Sequence, residues 1–170
     1  MIRTPATAGA NRRASDKARG KTQAPAPDRK PALRHRVLIC EDDKMIAELL
    51  AATVSARGHE VLVCHDGTAA IAQADKWRPT AAIIDIGLPG VTGYGVAQHI
   101  RSLSRRLASG PQVLLIAITG YDSPADIEMA RYAGFNWHFA KPARPSLLAE
   151  VLENPKRTPM GQRDGTPLDR

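Results

Sequence analysis

Four carboxylates, a hydroxyl and an amine stand directly after apolar runs in this sequence. Run 37–40 is followed by Glu41, Asp42 and Asp43, run 81–84 by Asp85, run 113–118 by Thr119 and run 135–140 by Lys141. If these runs are neighbouring strands ending at one edge of a sheet, their polar successors form a single constellation. Carboxylates gathered in one place repel one another unless an opposite charge sits among them. A hard divalent cation supplies that charge, and magnesium suits oxygen ligands that leave several waters in place. Any one of these residues could be a solvated strand end. The set cannot be dismissed in that way.

The elements that must position them are legible as a pattern. Runs 37–40, 61–64, 81–84, 113–118 and 135–140 mostly lack polar alternation, as expected of strands covered on both faces in a parallel sheet. Between them lie helix-period segments. Met45, Ile46, Leu49, Leu50, Thr53 and Val54 predict one apolar stripe, and Val96, Ile100, Leu103 and Leu107 another. Gly58 caps the first helix, Pro79 stops the second, and Ser123 with Pro124 starts the fourth. The expected fold is α/β: a (βα)5 doubly wound three-layer sandwich around a five-stranded parallel sheet, in flavodoxin-like order 2-1-3-4-5. Ligands bind at the carboxyl ends of such strands, where the acids stand.

Charge divides the chain of 170 residues, which carries a formal net charge of +7. Residues 1–36 hold ten Lys or Arg against two acids, whereas residues 37–153 hold ten against thirteen. Residues 1–34 have Pro5, Pro25, Pro27 and Pro31 and no apolar period, so they read as a disordered basic arm. Residues 35–153 form the domain, and residues 154–170, with Pro155, Pro159, Pro167, Gly161 and Gly165, read as a flexible tail. Cys40 and Cys64 each end an apolar run and belong to no metal-ligand spacing, which predicts buried reduced thiols. No apolar run approaches a membrane span and no secretory h-region is present, so a cytoplasmic protein is expected.

The stretches RVLICEDD, AAIIDIGLPGVTGYGVAQHIR and LLIAITGYDSPADIEMARYAGFNWHFAKP closely resemble the receiver domain of two-component response regulators, over roughly residues 35–153. The resemblance implies that Asp85 is phosphorylated by a histidine kinase or histidine phosphotransfer protein. Glu41 and Asp42, with Asp85 and the carbonyl of Gly87, would hold magnesium, leaving Asp43 as a neighbour. Lys141 would pair with phosphoryl oxygen, and Pro142 would follow a cis bond. Thr119 would hydrogen-bond the phosphoryl group and, with His138 where many receivers carry Tyr or Phe, bias a surface made of the fourth helix and fifth strand. Leu88, Pro89 and Gly90 would shape the pocket mouth. Gly87 and Tyr121 occupy positions that tune water access to the acyl phosphate. A haloacid-dehalogenase-type phosphatase also uses a strand-end Asp, but it wants a second Asp where this chain has Gly87.

The expected function is that of a phosphoprotein in a phosphorelay, not an enzyme with a separate substrate. It would catalyse its own phosphorylation and dephosphorylation and signal by protein binding, since nothing after residue 153 is long or apolar enough for an output domain. A relay role and an adaptor role stay open. A different reading makes the arm, with Arg12, Arg13, Lys17, Arg19, Lys21, Arg29 and Lys30, a receiver-regulated binder of nucleic acid or anionic surfaces. The arm has no aromatic residue for base stacking and no amphipathic helix for lipid, which disfavours that reading. A third reading, a fragment of a hybrid kinase, fits less well with a chain starting at Met1.

Overall fold

The computed structural model describes residues 34–106, 112–120, 123–156 and 165–168. In chain order the elements are β1 (Arg36–Cys40), α1 (Lys44–Ala56), β2 (Glu60–Cys64), α2 (Gly67–Trp77), β3 (Ala81–Asp85), α3 (Gly93–Arg106), β4 (Leu114–Thr119), α4 (Pro124–Ala133), β5 (Trp137–Ala140), α5 (Pro145–Glu153) and β6 (Thr166–Pro167). β1 to β5 are parallel and lie in the order β2-β1-β3-β4-β5. That is the expected doubly wound sheet, with Val113 and Phe135 falling just outside their strands.

Alternate strand residues feed two cores. Leu38, Cys40, Ala82, Ile84, Leu115 and Ala117 pack with residues of α2, α3 and α4, while Val37, Ile39, Ile83, Ile116, Ile118 and Phe139 meet α1 and α5. Burial on both faces explains why the runs show no polar alternation. Leu148 of α5 has no exposure, so truncating it to alanine would cost about 2–5 kcal/mol. Gly58 follows α1 with φ 85°, Pro79 lies just beyond α2, and Ser123 caps α4 in a capping box, as their residue types predict, whereas Arg78 closes α2 in a left-handed conformation (φ 54°) that its type does not predict. Cys40 and Cys64 are free and buried.

Two expectations need correction. The first helix does not bury the whole stripe: α1 buries Ala47, Leu50 and Val54, while Met45 is 78% and Leu49 57% exposed. At 3.6 residues per turn Met45 lies about 140° around the helix from Leu50, so one flat contact cannot cover both. The sheet, moreover, has a sixth strand in the segment read as a flexible tail. Thr166–Pro167 pairs antiparallel with β5, and Leu168 is 4% exposed in the α2–α3–α4 core. A two-residue strand containing proline has no period to read. What specifies it is the open edge of β5, which needs a partner for its backbone groups. Residues 1–33 of the basic arm, Leu107, Tyr121, Pro159 and Gly161 lie outside the described residues.

Candidate functional site

β1 delivers Glu41 to the carboxyl edge of the sheet, where its N–H continues the ladder by donating to the Cys64 carbonyl at 3.1 Å. Its side chain is fully buried. Asp42 is exposed beside it, and Asp43 turns away to cap α1, its Oδ1 accepting from the N–H groups of Met45 (2.9 Å) and Ile46 (3.1 Å). Asp43 therefore satisfies the orphan donors of a helix start, a definite structural task beyond that of a neighbour.

Asp85 ends β3 and is 5% exposed. Its Oδ1 accepts from the Gly87 N–H at 3.0 Å, and its Oδ2 receives a hydrogen bond from Lys141 Nζ at 2.8 Å. Lys141 leaves β5 with its own N–H donating to the Thr119 carbonyl at 2.7 Å. Its Nζ also stands 3.0 Å from both oxygens of Glu41 and donates to Oε1. Glu41 Oε2 is buried and ion-paired with the same ammonium, without a well-aligned hydrogen bond of its own. Oxygens of Glu41, Asp42 and Asp85 all lie within 4.8 Å of one another.

The charges do not balance. Burial pushes the Glu41 carboxyl above its ordinary range and the Asp85 charge adds to that, against the opposing pull of Lys141 and the Asp43 N–H. Burial works to lower the Lys141 pKa, but the hydrogen bonds and charges of Asp85 and Glu41 outweigh it and raise the pKa, so the ammonium is firmly protonated. One ammonium thus stands among three clustered carboxylates, two of them buried and sharing it. Such a donor set fits a hard cation, with Glu41, Asp42 and Asp85 as the residues to hold it. Gly87 is placed beside them by its N–H to Asp85.

Thr119 is fully buried at the end of β4, one residue past Ile118, the partner of Asp85 across the sheet. His138, 3% exposed, pairs with Ala117, and strand alternation puts Thr119 and His138 on the same face. Gly90 has φ 73° and the Lys141–Pro142 bond is cis, as expected, while Leu88 is buried in the core shared with α2, α3 and α4. A contribution not anticipated from the sequence is Gly93. A Cβ there would collide with the Asp85 carbonyl, so the start of α3 can approach the end of β3 only without a side chain. The signal available was a glycine at an unlikely place, the first turn of a helix.

The response regulator receiver domain model matches residues 37–153. The DNA-binding response regulator MtrA of Mycolicibacterium paratuberculosis is 28% identical over 126 residues, covering 74% of this chain and 53% of MtrA. The chain thus spans about half the length of the curated relatives it matches. The chemotaxis protein CheY4 of Vibrio cholerae superposes with a TM-score of 0.63 at 26% identity, over 71% of this chain and 97% of CheY4. A co-crystal of the Saccharomyces cerevisiae histidine phosphotransfer protein Ypd1 with the receiver domain of Ssk1 matches in fold, with a TM-score of 0.65 at 22% identity over 70% of this chain and 86% of the matched one.

Proposed function

The chain belongs to the response regulator receiver domain family, and from that premise we propose that it accepts a phosphoryl group on Asp85 from a histidine kinase or histidine phosphotransfer protein and signals through protein binding that depends on this group. The observation that carries the reading is the single Lys141 ammonium shared between buried Asp85 and Glu41, with an oxygen of Asp42 within 4.8 Å of theirs. In the proposed transfer an Asp85 carboxylate oxygen forms the bond to phosphorus as the donor's P–N bond breaks, the imidazole nitrogen keeping the bonding pair. The Gly87 N–H orients the Asp85 carboxylate before attack. Lys141 meets charge on the phosphoryl oxygens, and Thr119 supplies a hydroxyl from the adjacent strand end. Magnesium held by Glu41, Asp42 and Asp85 would neutralise the charge brought together there.

The protein's chemistry would end with its own phosphorylation and dephosphorylation. Exposed Ile46 and Leu49 line an apolar cleft of about 470 Å³ that Lys141 and Pro142 also bound, a suitable seat for the donor beside the site. The Ssk1 receiver, crystallised with a histidine phosphotransfer protein, lends the choice of donor support by its fold alone. A cytoplasmic setting belongs to the same proposal and agrees with the free cysteines.

The test is intact mass after incubation with acetyl phosphate and magnesium. Wild type should gain one phosphoryl group and Asp85→Asn none. Persistent labelling of the variant at another carboxylate would overturn the assignment.

A further inference from the structure

β5 is the last parallel strand, and β6 covers its open edge. The attachment is specific. Leu168 donates its N–H to the Asn136 carbonyl at 2.8 Å, Thr166 pairs with His138 and Pro167 with Trp137. A Cβ on Gly165 would lie 2.5 Å from Phe139 Cε1, so this part of the chain lies against the sheet only because residue 165 is glycine. Pro167 has no N–H to offer a further strand, so the sheet ends at β6. Beneath these residues is a cavity of about 410 Å³, lined by Arg101, Phe135, Trp137, Pro155, Pro167 and Leu168 among others.

The attachment is also slight. Thr166 and Pro167 are exposed, and Leu168 is the one buried side chain between residues 165 and 168. Elements held by so few buried groups open at the low end of a protein's stability range. The strand they cover is short, and its next residue is Lys141, whose Nζ is 2.8 Å from Asp85. Only two residues separate His138, the partner of Thr166, from the lysine that grips Asp85.

We propose that residues 165–168 form a releasable strap on the β5 edge, attached while Lys141 holds the free Asp85 carboxylate and loosened when a phosphoryl group on Asp85 takes Lys141 as its own partner. This rests on the function proposed above. The strap keeps a strand-accepting edge covered in the unmodified protein, and its release uncovers both that edge and the cavity.

The full chain with Trp77→Phe reports on the strap through Trp137, which is 3% exposed. Hydrogen exchange of the β5 amides gives an independent reading. With acetyl phosphate and magnesium, once intact mass shows the phosphoryl group on Asp85, β5 exchange should become several-fold faster and Trp137 emission should shift to the red. Leu168→Asp and Gly165→Val should each show both changes without phosphodonor, while the rest of the sheet keeps its protection. Unchanged β5 exchange in a protein whose mass shows full phosphorylation would overturn the coupling. Unchanged exchange in both strap variants would overturn the strap itself. No gain of mass at all would strike instead at the function on which the coupling rests.

Discussion

Two clusters of buried polar groups sit at opposite ends of the same sheet, and they are built on different terms. At the carboxyl ends stand Glu41, Asp85 and Lys141, ion-paired over 2.8–3.0 Å. At the amino ends stand His35 and His59, 8% and 6% exposed. There the His35 N–H donates to His59 Nδ1 at 3.1 Å. The His35 ring bridges Thr80 Oγ1 and the Leu152 carbonyl, each at 3.1 Å. Because a carbonyl can only accept, His35 Nε2 bears the proton, and Nδ1 accepts from the Thr80 hydroxyl. His59 must likewise leave Nδ1 unprotonated. Burial lowers the pKa of both rings, so this cluster is neutral. At the amino end His59 Nε2 is buried without a hydrogen bond, and at the carboxyl end three clustered carboxylates have one ammonium among them. An orphaned neutral N–H costs about 1–3 kcal/mol and is merely endured, whereas an excess of carboxylate charge can recruit a cation. The histidine pair is polar without charge, and the reactive end gathers more negative charge than its one ammonium balances.

Breaking the comparison at its reactive end should have the largest effect. Asp85→Asn should abolish the phosphoryl mass shift completely while leaving melting within a few degrees of wild type, because the amide fills the same space. His35→Ala should do the converse, lowering the melting temperature with phosphorylation of the remaining folded protein intact. Loss of phosphorylation in folded His35→Ala would show that the two ends are not separable.

Glu41→Gln sharpens the contrast further. Removing a buried carboxylate whose ionised form burial disfavours should raise the melting temperature in chelator, while magnesium affinity drops at least about tenfold, roughly 1.4 kcal/mol. Calorimetric titration with magnesium and thermal melts of the same sample check both halves. A variant that melts lower and binds magnesium normally would show that Glu41 is scaffold.

How far these ends were readable depends on whether a residue's role is set by local pattern or by contact. Glu41, Asp85, Thr119 and Lys141 follow strands whose apolar runs are plain in the sequence, and the parallel sheet brings their ends together, so the site followed from the fold. Residues of one type at neighbouring positions were harder to separate. Asp42 and Asp43 differ only in that Asp43 precedes a helix by one residue, which commits it to the cap. His35 and His59 carry no local signal, because neither is near the other in sequence. Only the parallel pairing of β1 with β2 sets them side by side. Leu168 and the β6 strap were invisible for a similar reason, being specified by the β5 edge and by the Phe139 ring that excludes any side chain at Gly165.

A smaller effect is expected at Gly87, where the backbone N–H serves Asp85 and no side chain reaches over the site. A Cβ there would be 3.7 Å from both Asp85 oxygens, an ordinary contact, so Gly87→Asn should fold normally. Its amide would place a polar group where it can orient water toward the acyl phosphate. Decay of the phosphoprotein after donor removal should be several-fold faster than in wild type. Equal decay would show that backbone geometry governs the lifetime.

The smallest effect belongs to the histidine end and concerns pH. In the unfolded chain each imidazole takes up a proton near its ordinary value of 6.5, but in the folded protein His35 and His59 resist protonation until the pH is lower. Below about pH 6.5 the unfolded state therefore binds more protons than the folded one, and stability falls as pH falls through the interval between the two values. Above that interval the contribution is fully present. The charged groups facing His59 are Glu153, which favours its protonation, and Arg57, which opposes it. They are paired with each other at 2.9 Å and largely offset one another. Glu41 acts in the opposite sense, since its raised pKa lets the folded state take up a proton more readily than the unfolded chain. The measurement therefore belongs in a Glu41→Gln background. The melting temperature there should drop by a few degrees between pH 7.5 and 5.5, and His59→Gln should flatten that drop. An equally steep fall in His59→Gln and in His35→Gln alike would place the proton uptake elsewhere and leave the amino-end cluster a fixed hydrogen-bonded support, indifferent to pH.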